Sequence, residues 1–374
     1  MRVRSIRIAA LFAFACGVAG ASSLAAACTC FTVDARGQVL VGRNYDWDFS
    51  DGLVLVNKRG ATKVAGYDAS SQAGVWTSQH GSVTFNQYGR DFPQGGMNEA
   101  GLVVEVLWLE GTVFPSEDER LSLPAVQWIQ YQLDSSATVE EVIASLDRVR
   151  CSGSVELHFF VADRTGETAS VEYLDGKAVV HRTHARSPAG DGRTQVAPME
   201  TPVLTNDTYT DSERFLQRHE GFGGHERLPR SESSLGRFAR AASGCRALAS
   251  GARRAEAADL FRLLDDVSQK ARTQWSIVYD PVTLAIQFRT KESRGVKTIL
   301  LADLDFSCSS PVRILDVNEK GSGDLRDRWT DYSLDANRQL IGRSYAKTAF
   351  LQQVPAEALD RLAAMPDRFP CGAE

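Results

Sequence analysis

From Cys28 onward, short stretches alternate apolar and polar positions with a period of two. Residues 29–33 and 39–45 read as two strands, and the turn composition of Asp34-Ala35-Arg36-Gly37 between them predicts a hairpin. Further strands are predicted at 53–57, 74–77, 82–86, 102–109, 155–162, 168–174 and 177–181, and again at 275–280, 284–290 and 298–301. Helical spacing interrupts the series. It is clearest over 138–148, where Thr138 and Glu141 fit a capping box and Val139, Val142, Ile143 and Leu146 share a face. Helices are also predicted at 124–133, 211–218, 234–248 and 255–267, the last with Leu260, Leu263, Leu264 and Val267 on one side.

Blocks of strands, then helices, then strands argue for an α+β fold rather than a regularly alternating parallel one. No internal repeat is present, and no linker separates two domains. Residues 28–374 therefore read as a single domain, in which 321–374 form a weakly patterned C-terminal extension that wraps the core. The Gly/Ser/Pro/Arg-rich stretches 185–201 and 221–234 read as long exposed loops at the rim of a site.

The first 27 residues differ from the rest. Arg2, Arg4 and Arg7 precede an apolar run from Ile8 to Val18, and small residues lead to Ala25-Ala26-Ala27. This is the layout of a secretory signal peptide cut between Ala27 and Cys28, which predicts a periplasmic or secreted protein. The run is too short for stable membrane insertion. Cleavage removes three arginines and no acid, taking the formal charge from −5 to −8. With acids and bases interspersed, nothing points to nucleic acid.

Export also changes what the cysteines can do. Beyond Cys28 lie Cys30, Cys151, Cys245, Cys308 and Cys371, an odd number, so at least one of these five stays free or pairs outside the chain. Cleavage after Ala27 would give Cys28 both a thiol and a free α-amine, with ordinary pKa values of about 8.5 and about 8. A neutral amine beside a thiol can take its proton, and a nearby guanidinium favours the thiolate. Nucleophile and base then reside in one residue. Cys30, two places along the strand, points to the same face.

Six segments, in order and at matching spacing over residues 28–290, carry a resemblance: CTCF at Cys28, GRNYDWDF at Gly42, GGMNEAGLVVEVLWL at Gly95, VLTNDTYTD at Val203, SSLGRFARAA at Ser233 and TQWSIVYDPVTLAIQF at Thr273. Together they resemble the choloylglycine hydrolase and penicillin V acylase family of N-terminal nucleophile hydrolases, nearer its Gram-negative branch. The resemblance implies a four-layer αββα sandwich of two antiparallel sheets, with Cys28 as nucleophile and its α-amine as base. It places Arg43 near the thiolate, Asp46 as acceptor from the α-ammonium or substrate, Asn206 as oxyanion donor and Arg237 in the same polar cluster. Where Gram-positive bile-salt hydrolases carry a second oxyanion-hole asparagine, this chain has Trp108. The second donor is then expected to be a backbone N–H, and Trp108 is expected to shape an apolar acyl pocket. Trp47 is a further candidate substrate contact. Homotetramers are common in the family that the sequence resembles.

The expected activity is hydrolysis of a linear amide with an apolar acyl group, such as penicillin V or an N-acyl homoserine lactone. Alternatives are conjugated bile salts or acid-ceramidase-like N-acyl amides. Because LAAAC loosely resembles a lipobox, the alternative of another class is an inactive, lipid-anchored binding protein. No metal is expected: HEGFGGH at His219 lacks zinc-protease spacing. No cofactor is expected either, as there is no Walker loop, dinucleotide fingerprint or G-x-S-x-G. Asn206-Asp207-Thr208 also fits a glycosylation sequon.

Overall fold

The computed structural model describes residues 28–66, 73–184 and 193–372. The expected signal peptide and the first part of the 185–201 loop lie outside them.

Two large sheets stack face to face. The first has seven strands in the order Val203–Leu204, Thr29–Ala35, Gln38–Asp46, Thr273–Asp280, Ala285–Thr290, Lys297–Leu300, Gly323–Asp324. The second has ten: Thr194–Pro198, Lys177–Arg182, Thr168–Leu174, Leu157–Ala162, Val103–Trp108, Pro93–Asn98, Ser82–Asn86, Leu53–Asn57, Arg313–Asp316 and Thr330–Asp331. The opening hairpin forms as its turn composition predicts. Arg36 and Gly37 both take the positive φ of its tight turn, and Cys30 pairs with Arg43 across the ladder.

One hydrophobic cluster joins the two sheets through Val41, Tyr45, Trp275, Ile277 and Phe288 on one side and Val54, Phe85, Met97, Val103 and Leu107 on the other. The helices Ser234–Ala249 and Ala257–Asp266 cover the outer face of the first sheet. Helix Ala125–Ser135 covers the second, burying Trp128, Ile129 and Leu133 against Leu102, Val104 and Val106. The layers therefore run helix, sheet, sheet, helix, as the resemblance implied.

Several expectations need correction. Strand Pro93–Asn98 has no alternating pattern, because both glycines are there for close approach: a Cβ on Gly95 would strike the Glu105 carboxylate, and one on Gly96 the Val83 backbone. The helix expected over 138–148 stops at Ser145, and Val149–Ser152 pairs instead with Leu121–Pro124 as a short parallel ribbon. Thr138 does cap that helix, accepting from the Glu141 N–H, but the Glu141 carboxylate reaches past it to the Ala137 N–H. Within the first long loop stretch, 185–201, Thr194–Pro198 is an edge strand. The final segment holds two helices, Leu334–Lys347 and Ala356–Ala364, which pack on each other and extend the layer over the second sheet. Cys308 and Cys371 form a disulfide, while Cys28, Cys30, Cys151 and Cys245 are free and buried.

Candidate active site

Alternation along the opening hairpin decides which side chains meet. Cys28 and Cys30 share the face that points between the sheets, and Arg43, opposite Cys30, points there too. All three are buried. Arg43 Nη2 donates to Cys28 Sγ at 3.9 Å, while Nη1 reaches Cys30 Sγ at 4.0 Å and the Val106 carbonyl at 2.9 Å. A buried guanidinium needs a counter-charge, and Glu105, from the facing sheet, supplies it in direct ion contact. Tyr279 in turn donates its hydroxyl to Glu105.

This arrangement sets the local electrostatics. Burial pushes the Cys28 thiol above its ordinary pKa, and the Arg43 guanidinium opposes that rise. Burial also pushes the Glu105 carboxyl up to about 7 against the pull of Arg43. For Arg43 itself, burial works against the charge, but Glu105 and the two thiols outweigh it and hold the guanidinium protonated.

Asp46 is the last residue of the same strand, three places beyond Arg43, and is turned toward the helix Ser234–Ala249. One carboxylate oxygen accepts from Thr273 Oγ1. The other, Oδ2, stands 3.9 Å from Arg237 Nη1 and accepts no hydrogen bond. A buried carboxylate oxygen without a donor is costly, and burial raises the Asp46 carboxyl to about 7.

Arg237 ties the cluster together. Its guanidinium is fully buried and donates through Nη1 to the Cys28 carbonyl and Thr29 Oγ1, both at 2.6 Å. Through Nη2 it reaches Asn206 Oδ1 at 2.9 Å, and through Nε the Glu232 carbonyl at 3.1 Å. This fixes the Asn206 carboxamide, whose Nδ2 donates to the Trp108 carbonyl at 2.7 Å and keeps a second N–H to offer. Asn206 is thus engaged on both sides of its amide, which argues against the sequon reading. Behind it, His158 bonds the Thr205 carbonyl at 2.8 Å and sits 3.3 Å from Glu172.

Beside Cys28 opens a cavity of about 140 Å³, whose walls include Tyr45, Trp47, Val106, Trp108 and Leu157. All five predicted polar residues, Cys28, Arg43, Asp46, Asn206 and Arg237, therefore converge, and Trp47 and Trp108 both line the cavity. Glu105 and Tyr279 escaped the sequence reading. The available signal for Glu105 was one carboxylate inside the apolar run VVEVLW.

Comparison with known proteins shows the family and the fold. The sequence profile of the linear amide C–N hydrolases, choloylglycine hydrolase family, matches residues 28–314. Penicillin V acylase from Pectobacterium atrosepticum is 31% identical over 184 residues, a match covering 44% of this chain and 45% of that protein. The structure of penicillin V acylase from Agrobacterium tumefaciens superposes with a TM-score of 0.67 at 29% identity, covering 82% of this chain and 98% of the acylase. A variant of the conjugated bile acid hydrolase from Clostridium perfringens shares the fold, with a TM-score of 0.63 at 17% identity, over 78% of this chain and 98% of that one. With the profile matching well over half its length, the chain belongs to the choloylglycine hydrolase family of linear amide C–N hydrolases.

Proposed function

We propose that the chain is exported, loses residues 1–27, and then hydrolyses linear amides with an apolar acyl group, using Cys28 as an N-terminal nucleophile. The observation that carries this reading is the placement of the Cys28 thiol against Arg43 at the edge of a largely apolar cavity. Asp46 Oδ2, which accepts no hydrogen bond, supports it further: an α-ammonium at residue 28 is the kind of donor that this oxygen lacks.

In the proposed reaction the α-amine accepts the thiol proton, and Arg43 favours the thiolate that results. Sulfur attacks the amide carbonyl carbon, and the carbonyl π electrons move onto oxygen, where the remaining Asn206 N–H and a backbone N–H donate. Collapse of the tetrahedral species expels the amine, which takes its proton from the α-ammonium, and leaves a Cys28 thioester. Water then attacks the thioester, losing a proton to the α-amine. The acid departs and the thiol is restored.

Penicillin V and N-acyl homoserine lactones are the substrates of choice because a compact apolar acyl group suits the cavity. A panel of penicillin V, penicillin G, glycocholate and acyl homoserine lactones tests this with the processed protein. Hydrolysis should be strongest for penicillin V, and Cys28→Ser should lower it by at least about 10³-fold. Unchanged turnover in that variant, or a mature chain carrying a diacylglyceryl group on Cys28, would sink the reading in favour of a lipid-anchored binding protein.

A further inference from the structure

The family profile ends at residue 314, yet the chain continues to 374 and returns to the site. Helix Leu334–Lys347 buries Leu340 against Leu53, Leu55 and Ile314, and Ile341 against Phe92, Leu362 and Ala363. Asp51 clasps its outer side, accepting from Arg343 Nε at 3.1 Å and pairing with Lys347. At its C-terminal end Thr348 donates its hydroxyl to the Ser344 carbonyl at 2.8 Å, which leaves its oxygen to accept from Tyr88 at 2.8 Å. The far end of the segment is fastened as well. Cys371 is disulfide-bonded to Cys308, and the Thr62 N–H donates to the Pro370 carbonyl at 2.9 Å.

Between these anchors the turn Ala349–Leu351 lies over the cavity, and Tyr345, Phe350 and Leu351 form part of its wall together with Cys28 and Trp108. Phe350 is 55% exposed, and its ring is part of the cavity wall, so that a ligand there would cover it. Its ring centroid lies 6.2 Å from that of Trp108, at a tilt of 57°. The cavity, at about 140 Å³, is close to the roughly 150 Å³ that accepts a benzene ring.

We propose that the C-terminal segment is a specificity wall of the acyl pocket, in which Phe350 and Trp108 enclose a compact aryl acyl group and exclude longer chains. The inference rests on the hydrolase reading above for its substrate, but on the cavity alone for its ligand. An arylacetyl or aryloxyacetyl group would cover the exposed face of Phe350 and gain an aromatic contact that a linear chain cannot make.

The test uses the full processed chain and three amides of one chromogenic amine: acetyl, phenoxyacetyl and decanoyl. The readout is the ratio of kcat/KM values, so a uniform loss of activity cancels. In Phe350→Ala the phenoxyacetyl-to-acetyl ratio should fall by about tenfold, mostly through KM, while the decanoyl-to-phenoxyacetyl ratio rises. Phe350→Tyr, which keeps the ring, should retain the native ratios. Ratios unchanged within twofold in Phe350→Ala would overturn the proposal, and since the ring is exposed, folding failure is no escape. If the native chain hydrolyses none of the three amides, the hydrolase reading fails separately. Binding of phenoxyacetate, followed by tryptophan fluorescence, then decides: weakening by about tenfold in Phe350→Ala supports the wall, and equal affinity refutes it.

Discussion

Arg237→Lys isolates what the guanidinium contributes beyond its charge. In the native chain one fully buried side chain spans four acceptors: the Cys28 carbonyl, Thr29 Oγ1, Asn206 Oδ1 and the Glu232 carbonyl. An ammonium placed where Nη1 now lies still reaches the first two, at 2.6 Å each, but a single nitrogen cannot also reach Asn206 and Glu232. Two charge-assisted hydrogen bonds are lost at about 1.5–3 kcal/mol each, so stability should fall by about 3–6 kcal/mol. The kinetic consequence runs through Asn206, whose carboxamide is no longer held with Nδ2 forward. Loss of one oxyanion donor costs about 10²–10³ in kcat, with KM little changed. The decisive assay is a double-mutant cycle with Asn206→Ala. Because Arg237 is argued to act through Asn206, the double variant should be no slower than Asn206→Ala by more than about threefold. Additive losses, or Arg237→Lys retaining native kcat, would refute the reasoning.

Three other perturbations have definite outcomes. Asp46 has a folded pKa near 7 against an ordinary 3.8, so the folded state with residue 28 still peptide-bonded holds a proton that the unfolded state has released. Stability from this group is therefore greatest below about pH 4 and declines as pH rises to about 7, by about 4 kcal/mol at about 1.4 kcal/mol per unit. Melting temperatures of the unprocessed chain across that range should show the decline, and Asp46→Asn should flatten it. Cys308→Ser opens a crosslink spanning a sequence separation of 63 and should cost about 4 kcal/mol by loop entropy, read as a lower unfolding midpoint. Gly95→Ala drives a methyl group into the Glu105 carboxylate, and should lower both stability and turnover by displacing the partner of Arg43, whereas an inert substitution would show that strand to be pliable.

The parts of the site that share one hairpin were legible in the chain. Once residues 29–33 read as a strand, alternation puts Cys28 and Cys30 on one face; the ladder sets Arg43 opposite Cys30, where the resemblance had put it near the thiolate. The long-range members were not. Asn206 and Arg237 are brought to Cys28 by packing of the helix Ser234–Ala249 across the first sheet, and only the resemblance pointed to them. Pro93–Asn98 hides from propensity because its glycines answer to neighbours, Glu105 and Val83, that lie elsewhere in sequence. The C-terminal helix does carry a periodic face, with Asn337, Leu340, Ile341 and Ser344 buried, but two of those four are polar and blunt the signal. Asn98, the last residue of strand Pro93–Asn98, is buried, and its side chain makes four hydrogen bonds, to Leu133, Ser136, Ala100 and Leu102, locking the strand end onto a helix and onto the turn that follows.

The most direct test is the mass of the mature chain before and after brief exposure to penicillin V, quenched in acid and mapped by peptide. The proposed mechanism predicts a chain that begins at Cys28 with an unblocked α-amine and gains one phenoxyacetyl group on the Cys28 thiol. An N-terminus elsewhere, a capped amine in an active preparation, or an acyl group on a different residue would contradict it.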